Sequence, residues 1–482
     1  MISLPMEFVT RMKELLGDEA EPFLESYEKE RAFGLRLNLA KCSLEEFEKM
    51  APFSLRRIPW TSCGYFYGNG ERPGRHPWHE AGLYYIQEPS AMSPAELLDV
   101  QPGQVVLDLC AAPGGKSTQI AGKLQGKGVL VSNEIHPERA RILSQNIERM
   151  GIGNAIVMNE TPASLTERFP EFFDRIMVDA PCSGEGMFRK DEEARTQWSE
   201  EHVHLCARRQ DEILACAAKM LKPGGKMVYS TCTFAPEEDE GSAARFLHTH
   251  PDFSVDCDVH AYKGFSEGKP EWIAERDADI AEQIRHTFRV WPHKMEGEGH
   301  YFAVFRKTGS REQTAGKKLE KISLRKKNTR SNDGKKWEPY IAFVQEYMTE
   351  ASRWMQEERL LLFGEQLYYL PEGLGDCFSG IKVLRPGLHL GTFKKNRFEP
   401  SHAWALHLNA EDVKQSKNLS ADSAEIGAYL RGETLTDEEG RKGWTLILTD
   451  QISVGWAKAA SGILKNHYPK GLRWYAVSSQ KS

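Results

Sequence analysis

The sequence lacks the features that place a protein in a membrane or export it. None of its apolar runs approaches the roughly 20 residues that a membrane-spanning helix needs. The N-terminus, Met1-Ile2-Ser3-Leu4-Pro5, shows no charged segment followed by an apolar core, so we expect no secretory signal. The nine cysteines are odd in number, contain no Cys-x-x-Cys pair and form no disulfide-like framework. We therefore expect a cytoplasmic protein with no membrane partner.

Three common ligand-binding patterns are also missing. His202, His204 and Cys206 are close in sequence but lie on one predicted helix, and we expect no metal site. The chain has no Gly-x-Gly-x-x-Gly segment of the kind that binds dinucleotides. The segment Gly115-Lys116-Ser117 resembles the end of a triphosphate-binding loop, but position 110 is cysteine where that loop requires glycine. These absences argue against a dehydrogenase and a nucleoside triphosphatase.

The charge is uneven along the chain. The net charge of −6 by itself argues against a nucleic-acid partner. Residues 306–336, however, hold twelve Lys or Arg against three acids, which suits either phosphate contact or a solvated linker. Composition and length together predict an N-terminal α/β extension at 1–80, a catalytic domain at 81–306, a basic linker at 307–337 and a C-terminal region at 338–482.

Short apolar runs alternate with helical patterns in the second of these parts. The predicted strands are 105–109, 128–132, 155–158, 175–178 and 226–229, with 300–305 closing the domain as an edge strand. Continuous apolar strands separated by helices predict an α/β fold with a doubly wound, mostly parallel sheet. Residues 338–361 look helical, and short strand-like pieces follow, which indicates a small mixed α/β or barrel-like module.

A loop of small residues follows the first strand of this sheet. Cys110-Ala111-Ala112-Pro113-Gly114-Gly115-Lys116 connects the strand ending at Asp108 to a helix, and such a loop lets backbone N–H groups approach a ligand. Glu134 follows the next strand, where an acid can accept hydrogen bonds from both ribose hydroxyls of a nucleoside cofactor. An exposed acid at a helix start is the alternative for Glu134. Together with two nearby thiols, these features favour S-adenosylmethionine as the cofactor.

Those thiols, Cys182 and Cys232, each follow a predicted parallel strand, so we expect both in one crevice. A thiolate that adds to C6 of cytosine makes C5 nucleophilic enough to take a methyl group, and an acid must hold N3. Asp179, three residues before Cys182, suits that task, although it could equally cap the following turn. The residues alone do not decide which thiol attacks, and a free cysteine is often only a small buried hydrophobe.

Three motifs in this order resemble the NOP2/Sun-type RNA (cytosine-C5) methyltransferases. They are Asp108-Leu109-Cys110-Ala111-Ala112-Pro113-Gly114-Gly115-Lys116, Asp179-Ala180-Pro181-Cys182-Ser183-Gly184 and Ser230-Thr231-Cys232. Further segments are similar to the bacterial small-subunit ribosomal methyltransferase F branch: Gly184-Glu185-Gly186-Met187-Phe188-Arg189-Lys190, Arg209-Gln210, Gly297-Glu298-Gly299-His300-Tyr301-Phe302 and Leu464-Lys465-Asn466-His467-Tyr468-Pro469. The resemblance covers most of the chain.

The resemblance implies a class I S-adenosylmethionine-dependent methyltransferase and assigns roles. Cys232 matches the nucleophile, and Cys182 matches the cysteine that promotes release of the adduct. The positions that match cofactor contacts are Cys110, Ala111, Ala112, Pro113, Gly114, Gly115, Lys116, Glu134 and Asp179. Where the family often has Asp for the adenine amino group, this chain has Asn159-Glu160-Thr161, so the contact is expected at one of these three residues or is lost.

The resemblance also implies RNA-binding parts at both ends of the chain. Arg36 and Asn38 match a family Arg-x-Asn element, and the C-terminal region is expected to end in a PUA-like module. There Lys394, Lys395 and Lys465 are candidate RNA contacts. The aromatic residues Phe393, Phe398, Trp404, Trp456 and Tyr468 lie among cations and could stack on bases, but burial in a core is the better expectation for any one of them.

These observations predict an enzyme that methylates C5 of cytidine in 16S ribosomal RNA. Its partner would be ribosomal RNA or the assembled small subunit. We expect a monomer, because nothing in the sequence indicates an obligate dimer. Two alternatives stay open: a transfer RNA cytosine methyltransferase, and an RNA-binding assembly factor with a vestigial methyltransferase fold.

Overall fold

The computed structural model describes residues 3–259, 261–309, 334–372, 380–395 and 397–475. The α-helices are Met6–Leu16 (α1), Ala20–Ser26 (α2), Leu44–Met50 (α3), Pro77–Glu80 (α4), Ser93–Leu97 (α5), Gly115–Leu124 (α6), Pro137–Arg149 (α7), Pro162–Arg168 (α8), Glu192–Gln197 (α9), Glu200–Met220 (α10), Glu240–Thr249 (α11), Ala278–Arg285 (α12), Gly334–Tyr347 (α13), Ala351–Trp354 (α14), His402–His407 (α15) and Ala424–Arg431 (α16).

In the described part of the chain the strands form four sheets, three of which are small. The strands are Gly34–Leu37 (β1), Leu55–Arg57 (β2), Gly64–Tyr67 (β3), Tyr84–Ile86 (β4), Val105–Asp108 (β5), Val129–Asn133 (β6), Ala155–Met158 (β7), Phe173–Asp179 (β8), Leu221–Thr231 (β9), Phe253–Val255 (β10), Ser266–Glu267 (β11), Phe288–Val290 (β12), His300–Lys307 (β13), Leu360–Phe363 (β14), Gln366–Tyr369 (β15), Val383–Arg385 (β16), Leu388–Lys394 (β17), Arg397–Pro400 (β18), Ser416–Leu419 (β19), Leu435–Thr436 (β20), Gly443–Thr449 (β21), Ile452–Ala460 (β22) and Ile463–Asn466 (β23).

The N-terminal region is an α/β module with its own antiparallel sheet. Its strand order is β2-β3-β1-β4. Helix α3 begins at a capping box, in which Ser43 Oγ accepts from the Glu46 amide at 3.3 Å and the Glu46 carboxylate accepts from the Ser43 amide at 3.2 Å. Phe47 on that helix packs against Tyr65 and Tyr84 of the sheet, which gives the module an aromatic centre.

The central sheet confirms the predicted doubly wound fold. Its order is β11-β12-β13-β9-β8-β5-β6-β7-β16, and β10 also pairs with β13. The strands β9, β8, β5, β6 and β7 run parallel. Both faces carry buried apolar side chains, because helices cover the sheet on each side. All of the apolar runs predicted as parallel strands belong to this sheet.

One expectation about the edges of this sheet is wrong, and the strand at the opposite edge was not predicted. Strand β13 does not close the sheet, since it lies between β9 and β12 and antiparallel to both. At the opposite edge, β16 of the C-terminal region pairs antiparallel with β7, with Val383 opposite Met158. A three-residue strand so far along the chain carries no local sequence signal of this pairing, because the pairing depends on how the C-terminal region packs.

The C-terminal region contains a four-stranded sheet, β14-β15-β17-β18, and a five-stranded sheet, β19-β21-β22-β23-β20. Residues 338–361, predicted as one helix, instead form the end of α13, then α14 and the start of β14. The helix ends early because Met348 forms an isolated bridge with Val413. Phe398, Trp404, Trp456 and Tyr468 are at most 4% exposed and belong to hydrophobic cores, so these rings cannot stack on RNA bases.

The two ends of the chain share a hydrophobic core. Trp78 and Tyr84 of the N-terminal module belong to the same cluster as Tyr429 and Tyr468 near the C-terminus. Tyr468 also donates a hydrogen bond from its hydroxyl to Glu80 Oε2 at 3.0 Å. These contacts fix the last module against the first one, beside the central sheet.

The basic segment at 307–337 lies mostly outside the described residues, and the proposed domain boundaries remain a prediction. Among the described residues, no helix combines the length and the apolar character that crossing a membrane would require. Within the same part of the chain, no group of three or more His, Cys, Asp or Glu side chains is arranged to hold a metal ion.

Candidate active site

Cys182 and Cys232 lie together at the carboxyl ends of two neighbouring strands. Strands β8 and β9 run parallel, with Asp179 opposite Ser230, so the residues that follow them leave the sheet side by side. The two Sγ atoms are 3.4 Å apart. Both cysteines line a cavity of about 920 Å³ that also contains Cys110 and Glu134 from the strand ends of β5 and β6. This is the crevice in which open α/β sheets bind their ligands.

The two thiols are not electrostatically equivalent. The hydrogen bond with Cys232 and burial together raise the pKa of Cys182 well above its usual range. Cys182 therefore keeps its proton and is disfavoured as a thiolate. A thiolate is the nucleophilic form of cysteine, so the raised pKa of Cys182 argues against attack by this residue.

Asp179, the last residue of β8, contacts two other polar side chains. Its Oδ2 lies 2.7 Å from Lys116 Nζ, and its Oδ1 accepts a hydrogen bond from Ser230 Oγ at 2.7 Å. Burial raises the pKa of this carboxyl, but the Lys116 ammonium, His300 and the Ser230 hydroxyl outweigh burial, and the net pKa lies below its usual value. Asp179 is consequently an ionised hydrogen-bond acceptor that faces the same cavity as the thiols.

The loop between β5 and α6 has the shape expected for a ligand cradle. Gly114 adopts φ +115°, a conformation that favours glycine, and a Cβ on Gly115 would lie 3.2 Å from the Gln87 amide. Ser117 Oγ donates to Asp108 Oδ2 at 2.6 Å, whereas Asp108 Oδ1 is buried without a hydrogen-bond partner. Asp108 Oδ1 could therefore accept a hydrogen bond from a ligand, and the glycines of the loop let that ligand come close to the backbone. Both features fit the cofactor that the motifs imply.

Glu134 lines the cavity, and Asn159 does not line it but binds the backbone next to Glu134. Glu134 Oε1 accepts from the His136 amide at 2.9 Å, which fixes the carboxylate at the cavity wall. Asn159 Nδ2 donates to the carbonyl oxygens of Glu134 and Ile135 at 2.8 and 2.9 Å. In this position Asn159 shapes the Glu134 loop, and Thr161 is the residue of the 159–161 segment that lines the main cavity.

Arg36 and Asn38 occupy places that differ from the RNA contacts expected of them. Arg36 is 2% exposed and donates to Gln87 Oε1 at 3.0 Å, to the Gly115 carbonyl at 3.0 Å and to Thr118 Oγ1 at 2.6 Å. Asn38 is also buried, and its amide donates to the carbonyls of Gly82 and Met150. Both side chains donate their hydrogen bonds to other residues of the protein.

The other three candidate RNA contacts, Lys394, Lys395 and Lys465, are exposed.

The placement of Arg36 predicts that this residue contributes to the affinity for the cofactor. In an Arg36→Met variant the Gly115 carbonyl and Thr118 lose a charged donor, so the loop should hold its ligand less firmly. We expect the Kd for S-adenosylmethionine to rise by about tenfold or more, because a hydrogen bond to a charged group contributes about 1.5–3 kcal/mol. Titration calorimetry measures this change. Arg57→Met, at an exposed arginine of the same sheet that pairs with Glu48, is the control.

An unchanged Kd for the cofactor together with a weaker affinity for RNA would contradict this interpretation. That result would return Arg36 to the RNA-contacting role that the resemblance implied.

Asp108 predicts a pH dependence of stability. Burial raises the pKa of Asp108 to about 7 from an ordinary value of 3.8, against the lowering effect of the Ser117 hydroxyl. Between these pH values the folded chain keeps a proton that the unfolded chain loses, so the free energy of unfolding falls as pH rises. The slope from one such group is at most about 1.4 kcal/mol per pH unit. Asp108→Asn should flatten this part of the profile in urea unfolding between pH 5 and 8.

The control is Asp99→Asn, at an exposed position just before the same strand. A profile that stays as steep in Asp108→Asn as in Asp99→Asn would assign the pH dependence to other groups.

Sequence reasoning missed the side chains that hold the two cysteine-bearing loops together. Glu238 accepts hydrogen bonds from the Ser183 amide at 3.0 Å and from Gln210 Nε2 at 2.7 Å. Ser183 Oγ and Thr233 Oγ1, the hydroxyls next to the two cysteines in sequence, are 2.7 Å apart. The signal that could have found Glu238 is its position six residues after Cys232, in an acidic run that follows a buried strand.

Comparison with known families matches the chain from end to end. Four profiles cover successive parts: the N-terminal domain of 16S rRNA methyltransferase RsmF at residues 4–89, 16S rRNA methyltransferase RsmB/F at 95–306, the first C-terminal domain of RsmF rRNA methyltransferase at 342–408 and the methyltransferase RsmF PUA domain at 416–474. The predicted PUA-like module at the C-terminus is confirmed by the last of these.

Individual relatives agree with the profiles. Ribosomal RNA small subunit methyltransferase F of Pectobacterium atrosepticum is 32% identical, over 99% of this chain and 98% of its own length. The protein of the same name from Erwinia tasmaniensis is 31% identical over 98% of this chain and 97% of its own length. Among solved structures, a methyltransferase homologue from Pyrococcus horikoshii is 29% identical with a TM-score of 0.55, covering 64% of this chain and 96% of its own.

A second solved structure supports the fold alone. NSun6 from Pyrococcus horikoshii with SFG is 20% identical, covers 64% of this chain and all of its own, and superimposes with a TM-score of 0.55.

Proposed function

Because the chain belongs to the RsmF family of 16S rRNA methyltransferases, we propose that it methylates C5 of a cytidine in 16S ribosomal RNA through a covalent cysteine adduct. The observation that carries this proposal is the pair of thiols 3.4 Å apart at the strand ends, in a cavity that is also lined by the Asp179 carboxylate and by Cys110 and Ala112 of the cofactor loop. A direct methyl transfer would need no such pair of cysteines.

The first step uses the asymmetry of the thiols. When bound, S-adenosylmethionine supplies an electrophilic sulfonium methyl group. The Cys232 thiolate adds to C6 of cytosine, which forms an S–C6 bond and moves electron density to C5. C5 would then take the methyl group as the methyl–sulfonium bond breaks and the neutral thioether leaves. Cys182, whose pKa is raised by its hydrogen bond to Cys232 and by burial, remains protonated beside the attacking sulfur.

Asp179 supports the ring during this addition. As an ionised carboxylate it accepts a hydrogen bond from the proton that N3 takes up from solvent when C6 is attacked. Lys116 and Ser230 fix the Asp179 carboxylate in place. The carboxylate therefore needs no reorganisation when the ring is attacked. Cytosine must leave any helix to reach the strand ends, and the cavity of about 920 Å³ has room for a flipped base beside a cofactor.

Release reverses the addition. A base removes the proton from C5, N3 returns to solvent the proton that it took up, the electron pair restores the C5–C6 double bond, and the Cys232 thiolate leaves C6. Cys182 Sγ lies 3.4 Å from Cys232 Sγ, and we assign Cys182 to this release. Residues 110–116 and Glu134 are proposed to hold the cofactor, and the exposed Lys394, Lys395 and Lys465 to contact RNA. We propose that this occurs in the cytoplasm, and the described cysteines are free thiols in agreement with that location.

Trapping the adduct tests both the chemistry and the substrate. Cys182→Ala should capture its RNA, because the Cys232 adduct forms but leaves slowly, and denaturing gels should show a shifted band that RNase removes. Sequencing of the captured RNA, with bisulfite mapping of 16S rRNA and transfer RNA from a deletion strain, identifies the substrate. A shifted band in Cys232→Ala alone would reverse the two roles, and captured transfer RNA would replace 16S rRNA as the substrate.

A further inference from the structure

The loop that carries Cys182 is held by two buried side chains, Glu238 and Gln210, neither of which the sequence motifs assign to the reaction. Glu238 and Gln210 are both fully buried, and Gln210 Nε2 donates to Glu238 Oε2 at 2.7 Å and to the Pro181 carbonyl at 3.0 Å. Glu238 Oε2 also accepts from the Ser183 amide at 3.0 Å. The residues on either side of Cys182 are therefore bound to the same pair of side chains.

The same pair is fixed to the framework behind the site. Gln210 is on α10, and its Oε1 accepts from Ser242 Oγ of α11 at 3.1 Å. The carbonyl of Glu238 accepts from the Tyr229 hydroxyl of β9. Two helices and the strand that leads to Cys232 thus hold Gln210 and Glu238 in one position, and the hydrogen bonds of this network are buried apart from the one to the Pro181 carbonyl.

We propose that Glu238 and Gln210 form a clamp that sets the Cys182 thiol against Cys232 and so controls release of the methylated RNA. This inference rests on the proposed function and adds two positioning residues to it. Neither side chain lines the main cavity, so neither touches the substrate. Their effect is on the loop 181–183, and through it on the 3.4 Å separation of the two sulfur atoms.

The clamp works through hydrogen-bond acceptance and does not need the charge of Glu238. Burial and the nearby Glu185 raise the pKa of Glu238 against the lowering effect of the Ser183 and Gln210 hydrogen bonds, and the resulting pKa of about 8 leaves the carboxyl largely protonated at neutral pH. One oxygen atom, Oε2, accepts from both the Ser183 amide and Gln210. The carbonyl oxygen of a glutamine at position 238 can accept the same two hydrogen bonds, whereas methionine can accept neither.

The test compares adduct formation with adduct release in Glu238→Met, Gln210→Met and Glu238→Gln. In the two methionine variants we expect the RNase-sensitive adduct to form at close to the wild-type rate but to accumulate, as in Cys182→Ala. Turnover should fall by about 10- to 100-fold, since a misplacement of about 1 Å has that effect on a catalytic group. Glu238→Gln should restore release. The control is Glu237→Gln, whose carboxylate pairs with Arg11 and not with the cysteine loops.

Three results would overturn the clamp. Accumulation of adduct in Glu238→Gln equal to that in Glu238→Met would show that the carboxyl proton itself takes part. Wild-type turnover in both methionine variants would show that the contacts do not matter. Absence of adduct in both would assign the network to folding or to Cys232. Failure of the proposed function gives a different pattern, in which the wild type transfers no methyl group and Cys182→Ala traps no RNA.

Discussion

Replacing Cys232 with alanine or serine should reduce methyl transfer to 16S rRNA by about 10³-fold or more and leave no covalent adduct. Without the thiolate, C5 of cytosine stays too weakly nucleophilic to take the methyl group, so the loss falls on the chemical step. A 10³-fold loss corresponds to about 4 kcal/mol of transition-state free energy. Single-turnover transfer of a tritiated methyl group measures it, with the variant saturated in cofactor and RNA.

The affinity for S-adenosylmethionine should change little, because Cys232 lies at the end of β9 and the cofactor loop follows β5. Cys216→Ala is the matched control, since Cys216 is a cysteine on α10 at the same cavity with no part in the proposed reaction. Methyl transfer by Cys232→Ala within tenfold of the Cys216→Ala rate would remove Cys232 from the nucleophile position and with it the covalent mechanism.

The proximity of the two thiols is predictable from the amino-acid sequence alone. Cys182 and Cys232 each follow an apolar run, and the carboxyl ends of parallel strands face one crevice, so both thiols are expected there. Which thiol attacks is not predictable in this way, because that depends on a hydrogen bond between side chains 50 residues apart. Resemblance to a family supplies the choice, and the raised pKa of Cys182 supplies a physical reason for it.

Residues that act inside the protein are harder to recognise. Glu237, Glu238, Asp239 and Glu240 form an acidic run, which in a sequence is typical of a solvated surface, yet the last three are buried. Arg36 was expected to contact RNA because it matches a family Arg-x-Asn element, but its guanidinium makes three hydrogen bonds, to Gln87, the Gly115 carbonyl and Thr118. Burial of a charged side chain depends on tertiary packing, and its own segment of sequence gives little sign of it.

Arg289 explains how that acidic run can be buried, and its removal should have the largest effect on stability. Arg289 is 1% exposed and donates to Glu240 Oε1 at 2.7 Å, and its Nη1 lies 2.9 Å from Asp239 Oδ2. Arg289→Met would leave two carboxyl groups buried without their cation. Breaking a buried ion pair from one side costs about 3–5 kcal/mol, which corresponds to a fall in Tm of roughly 6–20 °C for a domain of this size.

The loss of stability in Arg289→Met should depend on pH. Burial already raises the pKa of Asp239 well above its usual range, although Arg289 opposes this, so without Arg289 this carboxyl should hold its proton more firmly in the folded chain than in the unfolded one. Its stabilising proton uptake is complete at low pH and is lost as pH rises through the folded pKa. Thermal unfolding of Arg289→Met should therefore approach the wild type near pH 4 and fall furthest below it at pH 8.

Arg285→Met provides the comparison, because Arg285 is an arginine on the neighbouring helix α12 whose pairing with Glu271 is largely exposed. An equally small change in Tm for both variants, or a loss in Arg289→Met that is the same from pH 4 to pH 8, would contradict the buried-charge account. Because Asp239 and Glu240 directly follow Glu238, the cation that keeps this run folded also keeps Glu238 against the Cys182 loop. Arg289→Met should accordingly slow adduct release at temperatures where the protein is still folded.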